Sequence, residues 1–230
     1  MRGLLAHDAG VGRDGAGISG LALAERLGVP AATVAGRSAR IGDGESVYAD
    51  GVVSHVNRVA AALGVVIGGK ASDAAHAMLG APAGAPSPEP IVDRGQRIAR
   101  ETAIGRIVLV DSMLFAGPEN RHDVICAGSH GGRVNMARAL EIRPRGVLFS
   151  DGGGARDGSG VDGLPLLDAA EVPAAAVDAM RARIGESAST WADGVISALN
   201  EAARRAGVVI GQPAAAAAHA MLEHPRQTEA

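Results

Sequence analysis

Hydrophobic positions in this chain fall into short, dense runs separated by glycine-rich corners, with few long amphipathic stretches. In the second half, 107–111, 124–128, 146–150, 174–178 and 208–211 are apolar at most positions, and runs this short predict strands buried on both faces. Between them, 133–140, about 160–170 and 189–205 carry helical patterns, with Val195, Leu199 and Ala202 on one face of the last. Strands alternating with helices predict an α/β fold, a layered α/β/α structure with a mostly parallel sheet.

The pattern occurs twice. Residues 2–79 align without a gap onto 145–222, with about half the positions identical, so the chain contains an internal duplication. "RGLLAHDAGVGRDGAGISGLAL" answers to "RGVLFSDGGGARDGSGVDGLPL", and "ARIGDGESVYADGVVSHVN" to "ARIGESASTWADGVISALN". The organisation predicted is a partial repeat unit at 1–79, a Pro-rich connector at 80–103, a complete unit at 104–222 and a tail at 223–230. The first copy repeats the last three strands and lacks the section from Ile104 to Pro144; the two units are expected to pack as one pseudo-symmetric domain.

Composition narrows the classes. Hydrophobic residues make up 47% of the chain and aromatics 2%, so the core must be built from Ala, Val, Leu and Ile. A net charge of −3 without any Lys- or Arg-rich run argues against a nucleic-acid partner. Cys126 is the single cysteine, which precludes an intramolecular disulfide and fits a reducing compartment. With neither a signal-peptide core nor an apolar run of membrane-spanning length, the expectation is a cytoplasmic protein with no membrane partner.

Ligands in parallel sheets bind beyond the carboxyl ends of the strands, and three constellations lie there. The first is "CAGSHGGRVNM" at 126–136, a strand-to-helix corner. Backbone N–H groups at Gly131 and Gly132 are placed to hold a carboxylate, phosphate or oxyanion. Ser129 is the candidate nucleophile or positioning hydroxyl, with His130 as acid, base or ligand. The second is the duplicated loop "DAGVGRDGAG" and "DGGGARDGSG". Its Gly10-x-Gly12-x-x-Gly15 spells a dinucleotide fingerprint, which is discounted because the second copy breaks it, so NAD is not expected. Gly10, Arg13 and Asp151 are candidate substrate contacts, although each Arg-Asp pair also reads as a turn staple. Asp8 is a candidate to orient a histidine or take a proton; with His7, it is the candidate ligand for a divalent metal ion. The third is "ADGVVSHVN", read as a helix with Asp50, Ser54 and Asn57 on one face, next to His55.

The first copy carries His7, Asp8, Ser38, Asp43 and His55 but lacks the corner; the second has the corner but Ser150, Arg181, Glu186 and Ala198 at the other places. This asymmetry predicts a composite site, with Ser129 and His130 facing the loops of the first copy, within the chain or across a homodimer. The motifs "GSHGG", "DAGVGRDGAG", "SARIGDGES" and "DGVVSHVN" together resemble an uncharacterised bacterial α/β family that keeps all four in one unit. The resemblance implies a shared site and no particular activity. The leading reading is a hydrolase or lyase acting on an anion-bearing small molecule, with Ser129, His130, His55 and Asp8 catalytic and Gly131, Gly132, Gly10, Arg13, Asp151 and Asn57 binding substrate. The alternatives are a non-catalytic module for a phosphate, carboxylate or nucleotide ligand and an assembly protein; a homo-oligomer is expected in each case.

Overall fold

A computed structural model describes residues 1–85 and 93–225. The first copy forms a three-stranded sheet, β1 (Leu4–His7), β2 (Ala31–Val34) and β3 (Val53–Val56), in that order. The second sheet has six strands, also in chain order: β4 (Arg97–Thr102), β5 (Gly105–Val110), β6 (Val124–His130), β7 (Gly146–Ser150), β8 (Ala174–Val177) and β9 (Ile196–Leu199). The pairs from β5 to β8 are parallel, whereas β4 and β9 add antiparallel at the edges. The protein is therefore α/β with a mostly parallel main sheet, and β1, β2 and β3 repeat β7, β8 and β9.

Alternation along the strands divides the core of the larger sheet into two halves. Ile107, Leu109, Cys126, Leu148 and Val177 pack against α7 (Ser187–Asp193) and α9 (Ala214–Glu223). Val108, Val110, Ile125, Val147 and Phe149 pack against α5 (Arg133–Ile142) and α6 (Leu164–Ala169). The small aliphatic side chains give an alanine-rich helix, α9, seated closely on the sheet, with Ala214, Ala217 and Ala218 fully buried.

Two parts of the predicted pattern are corrected. Residues 189–205 do not form one helix: α7 ends before Gly194, β9 follows, and Asn200 caps the short α8 (Glu201–Arg205). Residues 208–211 are not a strand but a turn that folds back onto β9, with the Gly211 N–H donating to the Ile196 carbonyl. The same happens in the first copy, so "ADGVVSHVN" is the end of α2 (Gly44–Asp50), then β3, then the cap of α3 (Arg58–Ala62). Elements this short fall inside one helical window, and Val195, Leu199 and Ala202 match helical spacing only by coincidence. The main sheet also begins earlier than expected. β4 lies within the stretch read as connector, its charged residues Arg97, Arg100 and Glu101 marking an exposed edge strand that no apolar run could signal.

Candidate functional site

The carboxyl ends of β1 and β7 face each other, and the duplicated loops beyond them meet across a seam with local two-fold symmetry. The main-chain N–H of Arg13 donates to the Ala179 carbonyl at 2.8 Å, and that of the equivalent Arg156 to Gly36 at 2.8 Å. The Arg13 guanidinium reaches the Arg181 carbonyl and Asp193 of the second copy, at 2.8 and 3.1 Å. Arg156 repeats this on Ser38 and Asp50 of the first, at 3.2 and 3.0 Å. Asp14 pairs with Arg183, and Asp157 with Arg40. At the axis Gly10 and Gly153 approach so closely that a Cβ on Gly10 would lie 2.9 Å from the Gly153 Cα. The conserved spacing of both loops is thereby explained: each copy supplies the same half of one interface. Arg13 and Gly10 are interface residues first, and each arginine ties down the opposite copy as well as its own turn.

At the corner, successive residues of β6 point to opposite faces. Ser129 Oγ accepts the Met113 N–H at 3.0 Å, which fastens the loop after β5. His130 turns the other way, into the seam, where a Cβ on Gly42 of the first copy would lie 3.1 Å from its Cε1. Its Nδ1 accepts the Gly132 N–H at 3.1 Å, which places the proton of the neutral ring on Nε2. Burial, reinforced by His7 and opposed by Asp162, lowers the His130 pKa to about 4, so the ring is neutral at physiological pH. Ser129 and His130 therefore do not form a dyad.

The corner amides are also spoken for. The Gly131 N–H donates to the Ser150 carbonyl at 3.1 Å and that of Gly132 to His130, so neither is directed at a ligand. Glycine is required at 131 because a Cβ there would overlap the Phe149 ring. The anion at the start of α5 is the chain's own: Asp162 accepts the Arg133 N–H at 2.8 Å and holds Arg40 of the first copy at 2.9 Å. Sequence reading missed Asp162 because its partners are distant in the chain.

In the first copy, both ring nitrogens of His7 contact backbone. Nδ1 accepts the Ala9 N–H at 3.0 Å, and Nε2 faces the Ala39 carbonyl at 3.1 Å. That arrangement leaves no lone pair for a metal, and no group of three His, Cys, Asp or Glu side chains suited to a metal ion forms among the described residues. Asn57 is a structural cap: its side chain accepts the N–H groups of Ala60 and Ala31 and donates to Val29, as Asn200 does for Ala203, Ala174 and Val172. Asp50, Ser54 and Asn57 thus lie on different elements and share no helix face.

The two strand-end aspartates differ in one atom. Oδ1 of Asp8 accepts the N–H groups of Gly10 and Gly36, each at 2.9 Å, as Oδ1 of Asp151 accepts those of Gly153 and Ala179 at 2.9 and 3.1 Å. Oδ2 of Asp151 accepts the Ser197 hydroxyl at 2.9 Å. In the first copy the equivalent Ser54 pairs instead with Thr33, Oγ to Oγ1 at 3.0 Å, and Asp8 Oδ2 has no hydrogen-bond partner among the described residues. Asp8 is only 4% exposed, but Oδ2 keeps contact with solvent, since Arg145 Nε is the only fully buried polar side-chain atom without a partner among the described residues. Thr33 Oγ1 also lies 3.4 Å from His55 Nδ1. In the second copy Thr33 and His55 are replaced by Ala176 and Ala198, which pack against the core beneath α5. Thr33 was not singled out from the sequence; the Thr33 to Ala176 difference between the copies was the signal that could have found it.

The structure thus sets His130 against the first copy, turns Ser129 away from it, and gathers Thr33, Ser54 and His55 into a separate polar cluster on β2 and β3, with Asp8 at the end of the adjoining β1. No helix among the described residues is long and apolar enough to cross a membrane. Neither a family model, a curated protein nor a solved structure matches the chain.

Proposed function

We propose that the chain is a small-molecule enzyme of hydrolase or lyase type whose centre is the polar cluster of the first copy. The observation that carries this reading is the unpartnered Oδ2 of Asp8 at the end of β1, together with the Thr33–Ser54 and Thr33–His55 contacts on β2 and β3, at positions where the second copy is satisfied or apolar. Because Ala176 and Ala198 fold equally well into the second sheet, the fold does not require a threonine and a histidine there. Asp8 Oδ2, which meets solvent and has no partner among the described residues, would accept a charge-assisted hydrogen bond from a hydroxyl or amine of the substrate. His55, its Nδ1 turned toward the Thr33 hydroxyl, would move the proton through Nε2. With the corner amides occupied, the contact to the substrate is to a hydrogen-bond donor in place of the anion that the sequence suggested.

One observation favours a second reading, binding without turnover: no unoccupied pair of backbone amides stands by to hold a developing oxyanion at the corner. Both readings are tested by screening glycosides, hydroxy acids, amino acids and carboxamides with saturation-transfer NMR and for turnover. Asp8→Asn keeps an oxygen for the two amides and should weaken binding of a donor-bearing compound at least about tenfold. His55→Ala should abolish turnover while sparing binding if the enzyme reading holds; binding with no turnover in the wild type supports the second. Thr33→Ala frees Ser54 to satisfy Asp8 as Ser197 satisfies Asp151, so it should weaken binding without lowering thermal stability appreciably. Ligands insensitive to Asp8, Thr33 and His55 but lost in His130→Gln would move the site to the seam and refute the proposal.

A further inference from the structure

Left-handed backbone crowds the turn that follows Asp8. Ala9, Gly10, Val11 and Gly12 have φ of 47°, 71°, 66° and 70°. Glycine enters this region freely, whereas a β-branched side chain there crowds its own backbone, so Val11 is held in a conformation that valine avoids. The second copy meets the same demand with glycine: Gly152 and Gly154 stand at the places of Ala9 and Val11, with φ of 65° and 72°. The turn therefore closes without a valine.

Two main-chain hydrogen bonds fix Val11 where it is. Its N–H donates to the Asp8 carbonyl at 2.7 Å and its carbonyl accepts the Gly17 N–H at 2.9 Å, whereas the matching bond from Gly154 to Asp151 is 3.4 Å long. The side chain is half-buried, yet it packs into none of the hydrophobic clusters formed by the described residues. Its neighbour Ala9, by contrast, packs with Ile41 and Ala155. In the second copy a Cβ on Gly154 would meet nothing within 4 Å, so this position of the turn faces open space. Neither core packing nor backbone preference accounts for the valine, and strain of this kind gathers where a side chain meets a ligand.

Asp8 and Val11 are the first and last residues of one hydrogen-bonded turn, which keeps their Cα atoms within about 7 Å of each other. A branched aliphatic side chain and the unpartnered Asp8 Oδ2 thus share the carboxyl end of β1. The second copy lacks both features, since Ser197 occupies the matching oxygen of Asp151 and Gly154 offers no side chain. We propose that Val11 is the apolar contact of the Asp8 site, and that the compound bound there carries an aliphatic chain next to the hydroxyl or ammonium group that Asp8 Oδ2 accepts. This rests on the Asp8 reading above and adds to it the class of ligand.

The test titrates straight-chain alkylammonium ions, methyl to butyl, into the full chain and follows the backbone amide shift of Gly10. In the wild type, affinity should rise about three- to fourfold with each added methylene. Val11→Gly should flatten that series while sparing methylammonium, and it should melt no lower than the wild type, because glycine relieves the left-handed strain. Asp8→Asn should weaken every member by the same factor. A series equally steep in Val11→Gly overturns the proposal and leaves the Asp8 reading standing, whereas binding insensitive to Asp8→Asn overturns both. A Val11→Gly protein that melts clearly below the wild type makes the valine a packing residue and also overturns the proposal. So does the absence of any shift with the whole series, the Asp8 reading then being decided by the wider screen of glycosides, hydroxy acids, amino acids and carboxamides.

Discussion

Acid should open the seam through His130. The ring is buried and neutral with a pKa near 4, whereas an unfolded histidine titrates near 6.5, so between these values the unfolded chain binds a proton that the native protein refuses. The sign follows directly. The native state is undisturbed above about pH 6.5, and it loses stability as pH falls from there toward 4, with a limiting slope of about 1.4 kcal/mol per pH unit. For this one group the loss is about 2 kcal/mol at pH 5 and approaches about 3 kcal/mol near pH 4. His130→Gln keeps a side-chain oxygen for the Gly132 N–H but cannot titrate. Urea denaturation of both proteins from pH 4 to 8 isolates the histidine, because the carboxylates common to both cancel in the difference. Whatever fixed difference separates the variant from the wild type at pH 8, the gap should shift in the variant's favour by about 2 kcal/mol on going to pH 5. Parallel stability curves would refute the reasoning and show that His130 is solvated.

Other outcomes follow from the same contacts. Asn57→Ala and Asn200→Ala should each cost about 2 to 3 kcal/mol in denaturant unfolding, since each removes a helix cap and leaves buried strand amides unsatisfied, with no specific effect on ligand affinity. Ser129→Ala should cost about 1 kcal/mol through the lost Met113 contact and leave any turnover intact; a specific loss of turnover in a folded variant would restore Ser129 as a nucleophile. Gly131→Ala should cost about 2 kcal/mol or more by collision with Phe149, and in the Phe149→Ala background, which reproduces the Ala6 of the first copy, that increment should shrink.

The larger elements were legible because their signal is local. Strands such as β5, β6 and β7 are buried on both faces and announce themselves as apolar runs, and the duplication announces itself by identity. What escaped were elements defined by tertiary position. β3 and β9 are four residues long and lie between a helix end and an asparagine cap, so periodicity cannot separate them from helix. β4 is an edge, and an edge strand need not be apolar. At the site, the sequence placed Asp8, Asp151 and the Ser129–His130 corner at strand ends, and there they lie. It could not show that Ser129 and His130 diverge at neighbouring positions of one strand, or that Asp162 returns from beyond β7 to fill the start of α5. Those facts depend on strand direction and on long-range partners, neither of which is written in residue spacing.

The duplication separates structure from function more sharply than either copy alone. Residues kept in both copies prove to have the same structural partners twice: Asn57 and Asn200 cap, Arg13 and Arg156 clasp the opposite copy, Gly10 and Gly153 touch at the axis. Retention therefore needs no substrate to explain it. Asp8 is the informative exception, because the residue is retained but its environment is not. Its twin has both oxygens satisfied; in the first copy the threonine at 33 draws Ser54 away and releases one oxygen. The oxygen so released meets solvent, since Arg145 Nε is the only fully buried polar side-chain atom without a partner among the described residues, so it is open to a ligand without the cost of an unpaired buried charge. In the second copy, with Ala176 at the equivalent of Thr33, Ser197 occupies the matching oxygen of Asp151. That difference between the copies, with the corner amides already occupied, is the reason the proposed function is centred on Asp8 Oδ2 and not on the glycine corner.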